Sequence, residues 1–283
     1  MRNILIFAQW DGTEFSGWQF QPGQRTVQGA IAEAVERMVH HPVELWASSR
    51  TDSGVHARAM PITFETSRAI PALGFANGLN THLPPDISVL SAQERPLGWR
   101  ARDHSVAKTY TYRLQLGARR AITQRQTWWL KRQDLDLAAM REAARALLGE
   151  QDFAAFRAHG CDARTTVRCL HRIDIPEPDR DEVVAIDVIG NAFLRNMVRI
   201  IVGTLVEVGV QRRAPAGVTE VVAGRDRNLA GPTAPGRGLT LTEVHFEGYP
   251  RLGKRALAAL PDDPAAPASD EPTATPLPTE IVP

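Results

Sequence analysis

Residues 48–57, SSRTDSGVHA, place one carboxylate, Asp52, between two potential cations, Arg50 and His56, in a run of small residues. A neighbouring Arg50 would favour the ionised form of that carboxylate, and Gly54 would let the backbone turn tightly enough to present it. An accessible, ionised carboxylate can act as a nucleophile or a general base. The same residues also make a good surface turn, because Asp-Ser-Gly favours chain reversal and Arg two positions from Asp is commonly a solvated pair. His56 is a base by residue type, but nothing beside it completes a catalytic set or a metal-ligand spacing, so its expected role is an orienting hydrogen bond.

Two further groups stand out. Arg199 interrupts Met197, Val198, Ile200, Ile201 and Val202 on a segment that otherwise reads as the core face of a helix. A buried charge without a partner is costly, so Arg199 should either meet an acid or run its stem along apolar neighbours to reach water. In KTYTYRLQL, Tyr110 and Tyr112 alternate in phase with Leu114 and Leu116, which puts both rings on one buried face of a strand.

RTDSGVHA resembles the active-site signature of the tRNA pseudouridine synthase A family, in which the aspartate is the catalytic residue. The resemblance continues in chain order through residues 11–19 (DGTEFSGWQ), 26–29 (TVQG), 80–87 (NTHLPPDI), 108–112 (KTYTY), 191–204 (NAFLRNMVRIIVGT) and 238–241 (GLTL). It implies that Asp52 is the catalytic carboxylate and that Arg199 faces it from the other half of the chain. It further implies that Tyr110 stacks on a flipped uracil and helps remove the C5 proton. Arg50 would sit beside the target nucleotide and assist flipping, and Leu239 would wall the uracil from below, although a leucine in a strand is ordinarily core. The implied reaction breaks the bond from ribose to N1, rotates the base and rejoins it through C5. With no net redox change and no energy input, this requires no cofactor and no metal. The aspartate could add to the ring, attack C1′ or remove a ribose proton, and the residues do not choose among these routes. The implied partner is the anticodon stem-loop of tRNA, bound by a homodimer. The chain departs from the family pattern at Ser49 (usually Gly), Met60 (commonly Gln) and Trp10 (usually Tyr), and residues 99–104 match only in part.

These groups need elements to position them. A strand over 3–10, a helix from about Thr26, strands over 43–48 and 59–66, a helix over about 69–78 and a strand over 86–93 give the order β-α-β-β-α-β. The order recurs as a strand over 106–117, a helix over 135–148, strands near 165–175 and 182–189, a helix over 191–208 and a strand over 239–247. The expected class is α+β: two ferredoxin-like, RRM-like halves, 1–104 and 105–250, whose antiparallel sheets join around a catalytic cleft.

The remainder, 251–283, is Pro-rich and acidic. Its last 23 residues carry seven prolines, five acids and no Lys or Arg, a composition expected to be disordered. Setting those 23 residues aside leaves 33 basic against 27 acidic residues, so a formal +6 underlies the near-neutral total, which suits a polyanionic partner without requiring one. Cys161 and Cys169 have neither metal-ligand nor disulfide-framework spacing, as expected of a reducing compartment. The apolar start is too short for a signal peptide, and residues 197–210 carry Arg199 and Glu207, so no membrane span is expected and the cytoplasm is the expected location. Two other classes compete with the isomerase: a non-catalytic RNA-binding module, and an aspartate-dependent hydrolase, for which no phosphate-cradling loop or nucleophile elbow exists.

Overall fold

The computed structural model describes residues 1–131, 134–161 and 163–247, so the acidic tail lies outside the described residues. In the first half, β1 (Arg2–Trp10) is followed by α1 (Val27–Val39), β2 (Trp46–Ala47), β3 (His56–Thr66), α2 (Ala72–His82) and β4 (Ile87–Arg95). Thr26 caps α1 by accepting from the Gly29 N–H, and Val27, Ile31, Ala34 and Val35 form its buried stripe at helical spacing. The helix stops where His40 turns left-handed at φ 57°. Pro71 opens α2, whose Phe75, Ala76 and Leu79 pack inward.

The second half contains β5 (Ser105–Gln115), β6 (Trp128–Trp129), α3 (Leu137–Arg145), β7 (Gly149–Asp152), β8 (Val167–Asp174), β9 (Val183–Gly190), α4 (Met197–Gly209), α5 (Gly217–Gly224) and β10 (Leu239–Phe246). Asp136 caps α3 at the Ala139 N–H. The helix α4 is almost wholly buried, and each fully buried Ile or Val in it stabilises the fold by about 1.5–3 kcal/mol.

One sheet unites both halves in the order β4-β1-β3-β10-β5-β9-β8-β7, with β2 also on β3 and β6 also on β5. Within each half the main pairs are antiparallel, β1 with β3 and β4 in one, β5 with β9 and β10 in the other. The seam between halves is different: β10 runs parallel to β3, pairing Thr240 with His56 and Leu241 with Ala57. Further along the same strand, Trp46 and Ala47 of β2 pair with Thr63 and Ile62. Because β2 is only two residues long, it leaves the start of β3 open for β10. The Asp52 loop connects β2 to β3 and emerges at that seam.

One element boundary matters for chemistry. The expected helix over 191–208 begins instead at Met197, because Asn196 adopts a left-handed conformation at φ 60°. Residues 191–196 therefore form a loop, and Arg199 falls in the first turn of α4 rather than in its middle.

Candidate active site

The Asp52 loop is clasped by backbone on two sides. Trp18 N–H donates to the Thr51 carbonyl at 3.0 Å and Gly54 N–H to the Phe15 carbonyl at 3.2 Å. Gly17 sits so close, at φ +99°, that a Cβ on it would lie 2.8 Å from the Thr51 oxygen. From the other half, Gly236 packs against the Ser53 carbonyl with no room for a side chain. The Gly17-Trp18 segment is thus a brace of this loop.

His56 fastens the two clasps together. Gly12 N–H donates to its Nδ1 at 2.9 Å, so the proton sits on Nε2, which faces the Arg237 carbonyl at 3.1 Å. Burial holds the imidazole below its ordinary pKa, against the pull of the Arg237 carbonyl and Asp11. His56 thus ties the two clasps together through its ring nitrogens, the orienting hydrogen bonds expected of it, with burial favouring the neutral imidazole.

At the seam the structure brings Asp52, Tyr110 and Arg199 together. Arg199 Nη1 lies 3.7 Å from Asp52 Oδ2, with side-chain exposures of 16% and 27%. The guanidinium is steered by its own half: Nε donates to the Ala234 carbonyl and Nη1 to Asn196 Oδ1, both at 2.7 Å. Asn196 also gives its backbone N–H to Asp52 at the amino-terminal end of α4, where the helix dipole favours an anion. Burial raises the Asp52 carboxyl above the ordinary range, and the charges of Arg199 and then Arg195 oppose it, with the Asn196 N–H. The carboxylate is therefore poorly hydrated, and the fixed positive groups around it favour its ionised form against the net effect of burial.

Tyr110 is 5% exposed and packs edge-on to Phe193 at 5.1 Å. Its hydroxyl meets Ser49 Oγ at 3.1 Å. Burial pushes the phenol up to about 12, with the nearby Asp52 charge adding to the effect and Ser49 opposing it. Tyr112 on the same face is turned to a structural task, donating to the Pro235 carbonyl at 2.8 Å. Leu239 is buried at the start of β10, opposite Tyr112.

Arg50 is exposed and, among the described residues, hydrogen-bonds to none. The expectation that it holds Asp52 ionised is replaced: Arg199 and Arg195, 147 and 143 positions along the chain from the aspartate, do so. Arg195, Asn196, Phe193 and Ser49 were not singled out for these contacts. The first three lie in the NAFLRNMVR block, where the polar residues before the helix were the available signal. Among the described residues no three His, Cys, Asp or Glu side chains converge as metal ligands.

A model of the tRNA pseudouridine synthase family matches residues 6–102 and 143–247, spanning both sides of this site. The tRNA pseudouridine synthase A of Geobacter sulfurreducens is 48% identical over 246 residues, covering 87% of this chain and 100% of its own. This chain belongs to the tRNA pseudouridine synthase family. It is accordingly a pseudouridine synthase, an isomerase. The tRNA pseudouridine synthase A of another Geobacter strain, M21, is 44% identical, over 87% of this chain and 99% of its own. Among solved structures, a Cbf5-Nop10-Gar1 complex aligns with 71% of this chain and 54% of its own, at 11% identity and a TM-score of 0.31, a distant likeness.

Proposed function

We propose that this pseudouridine synthase converts uridines of the tRNA anticodon stem-loop, with Asp52 as its catalytic carboxylate. The observation that carries the reading is the Asp52–Arg199 pair at 3.7 Å, formed between the two halves at the seam and supported by Asn196. Every route open to the aspartate, addition to the ring, attack on C1′ or proton abstraction from ribose, needs the ionised form that this surrounding favours. Tyr110 offers a ring for the flipped base and a hydroxyl for proton transfer, Leu239 an apolar floor, and the exposed Arg50 a cation for RNA.

The division into 1–104 and 105–250 puts the catalytic carboxylate in one half and Tyr110 and Arg199 in the other. A homodimer gives each tRNA a second basic surface, and the enzyme works in the cytoplasm. In keeping with that location, no helix among the described residues is long and apolar enough to cross a membrane.

Tritium release from C5-labelled uridine in unmodified tRNA tests the activity, and mapping the modified nucleotides tests the anticodon stem-loop. Asp52→Asn is expected to abolish release while tRNA affinity stays within a few-fold of the parent. Substantial release by this variant would remove Asp52 from its role, and no release by the parent from any tRNA would favour an RNA-binding module. Sedimentation in the presence of tRNA reads the oligomeric state.

A further inference from the structure

Three side chains, Trp10, Met60 and Ser49, gather around the loop that carries Asp52. Trp10 donates its indole N–H to the Val55 carbonyl at 3.1 Å, Met60 receives the Ser48 hydroxyl at 3.4 Å, and Ser49 meets Tyr110 at 3.1 Å. The first two fix backbone or fill core. Ser49 is different, since it joins the loop that carries Asp52 directly to the hydroxyl of a residue facing the same site.

We infer that Ser49 is a positioning residue and proton exit for Tyr110: its hydroxyl orients the phenol O–H and passes a proton from it to water. The inference rests on the reading of Tyr110 as the group that meets the C5 hydrogen. Once the base is rejoined through C5, the C5–H bond must break, and its electron pair re-forms the C5–C6 double bond. The hydrogen leaves as a proton, and N1 takes one up from solvent, so the ring ends neutral. A neutral phenol whose pKa is about 12 cannot simply accept a proton, because a phenol oxonium would form in a buried site. It can accept one while its own proton moves to Ser49 Oγ, and Ser49 in turn releases its proton outward. The phenol begins and ends neutral.

Three observations suit the relay. The Oη to Oγ separation of 3.1 Å is a hydrogen bond in which either oxygen can be the donor, so the direction reverses by hydroxyl rotation alone. Tyr110 itself is buried and edge-packed on Phe193, which leaves its ring no freedom to carry the proton out by moving. Ser49 is only half-buried and so offers the contact with water that Tyr110 lacks.

Single-turnover tritium release from C5-labelled tRNA, run in H2O and D2O, reads this step. Ser49→Ala and Ser49→Gly are expected to slow release about tenfold or more with unchanged tRNA Kd, and to reduce the slowing that the parent shows in D2O. Ser49→Thr, which restores the hydroxyl, is expected to recover both. Parent-like release by the Ala and Gly variants overturns the relay, as does failure of Thr to rescue or a loss confined to Kd. Tyr110→Phe separates the two ideas: if it releases tritium at the parental rate, the role of Tyr110 itself falls, whereas slow release by Tyr110→Phe beside normal release by Ser49→Ala removes only Ser49.

Discussion

Arg199 meets Asp52 at 3.7 Å, beyond ordinary hydrogen-bond length, while Ala234 and Asn196 hold its guanidinium at 2.7 Å each. The arginine is thus anchored by its own half and acts on the aspartate as a fixed charge. An aspartate tied up by a close bidentate arginine would have its lone pairs occupied. Here the stabilising charge stands off, and the carboxylate oxygens remain available to a substrate.

Arg199 therefore sets the acid side of the pH profile. Burial raises the Asp52 pKa and Arg199 is the largest opposing influence, while the role proposed for Asp52 requires its ionised form. Removing the arginine lets burial act with less opposition, so the acid limb of kcat/KM should move to higher pH in Arg199→Ala, with activity at neutral pH lower by roughly a hundredfold. A limb that stays where it is in the parent would show that Arg199 does not bear on Asp52.

His56 makes a stability prediction of defined sign. Its folded-state pKa lies below the ordinary value of 6.5 because burial disfavours the imidazolium. The stability that this neutral histidine contributes is present above pH 6.5 and is lost as pH falls from there through the folded pKa, since the unfolded chain binds the proton more readily. His56→Ala strands the Gly12 N–H and the Arg237 carbonyl, and at neutral pH should cost about 2–4 kcal/mol, or several degrees of Tm. Calorimetry from pH 7.5 to pH 5 should show the gap between parent and variant narrowing. A gap that is constant or widens on acidification contradicts the assignment of a neutral imidazole.

Gly17→Ala should damage the site out of proportion to the fold. The substitution places a Cβ at φ +99° and within 2.8 Å of the Thr51 oxygen, so the Asp52 loop must shift or the brace must open. A loss of about 1–2 kcal/mol in stability is expected from the left-handed conformation alone. Turnover should fall at least a hundredfold, because small displacements of a positioned group cost rate steeply. A variant with parental kcat and reduced Tm would show that the loop tolerates the movement.

The element order was readable because α1, α3 and the long strands carry clean periodicity and caps, as Thr26 and Asp136 illustrate. What escaped was short or left-handed. Strands of two to four residues, such as Trp128–Trp129 and Gly149–Asp152, complete too few alternations to register, and Gly217–Gly224 begins without a side-chain cap. The late start of α4 depends on Asn196 turning left-handed, a conformation asparagine tolerates but does not announce. Asp52 looked paired with Arg50 because they are neighbours in sequence. Its actual partners come from a segment some 145 residues on, and local spacing carries no information about such a contact. The family motif did carry it, since it named Arg199 as the residue that faces the aspartate. The Ser49–Tyr110 bond was legible in neither way.

The last described strand, Leu239–Phe246, lies in the middle of the sheet between β3 and β5. During synthesis the first half can complete its own antiparallel pairs early, but the seam cannot close until that final segment has left the ribosome. Asp52 thus waits beside an open strand edge until the whole second half is made. Tyr110 and Arg199 are made before that strand, but the seam that sets them beside Asp52 can form only once residues 239–246 are available to pair with both halves.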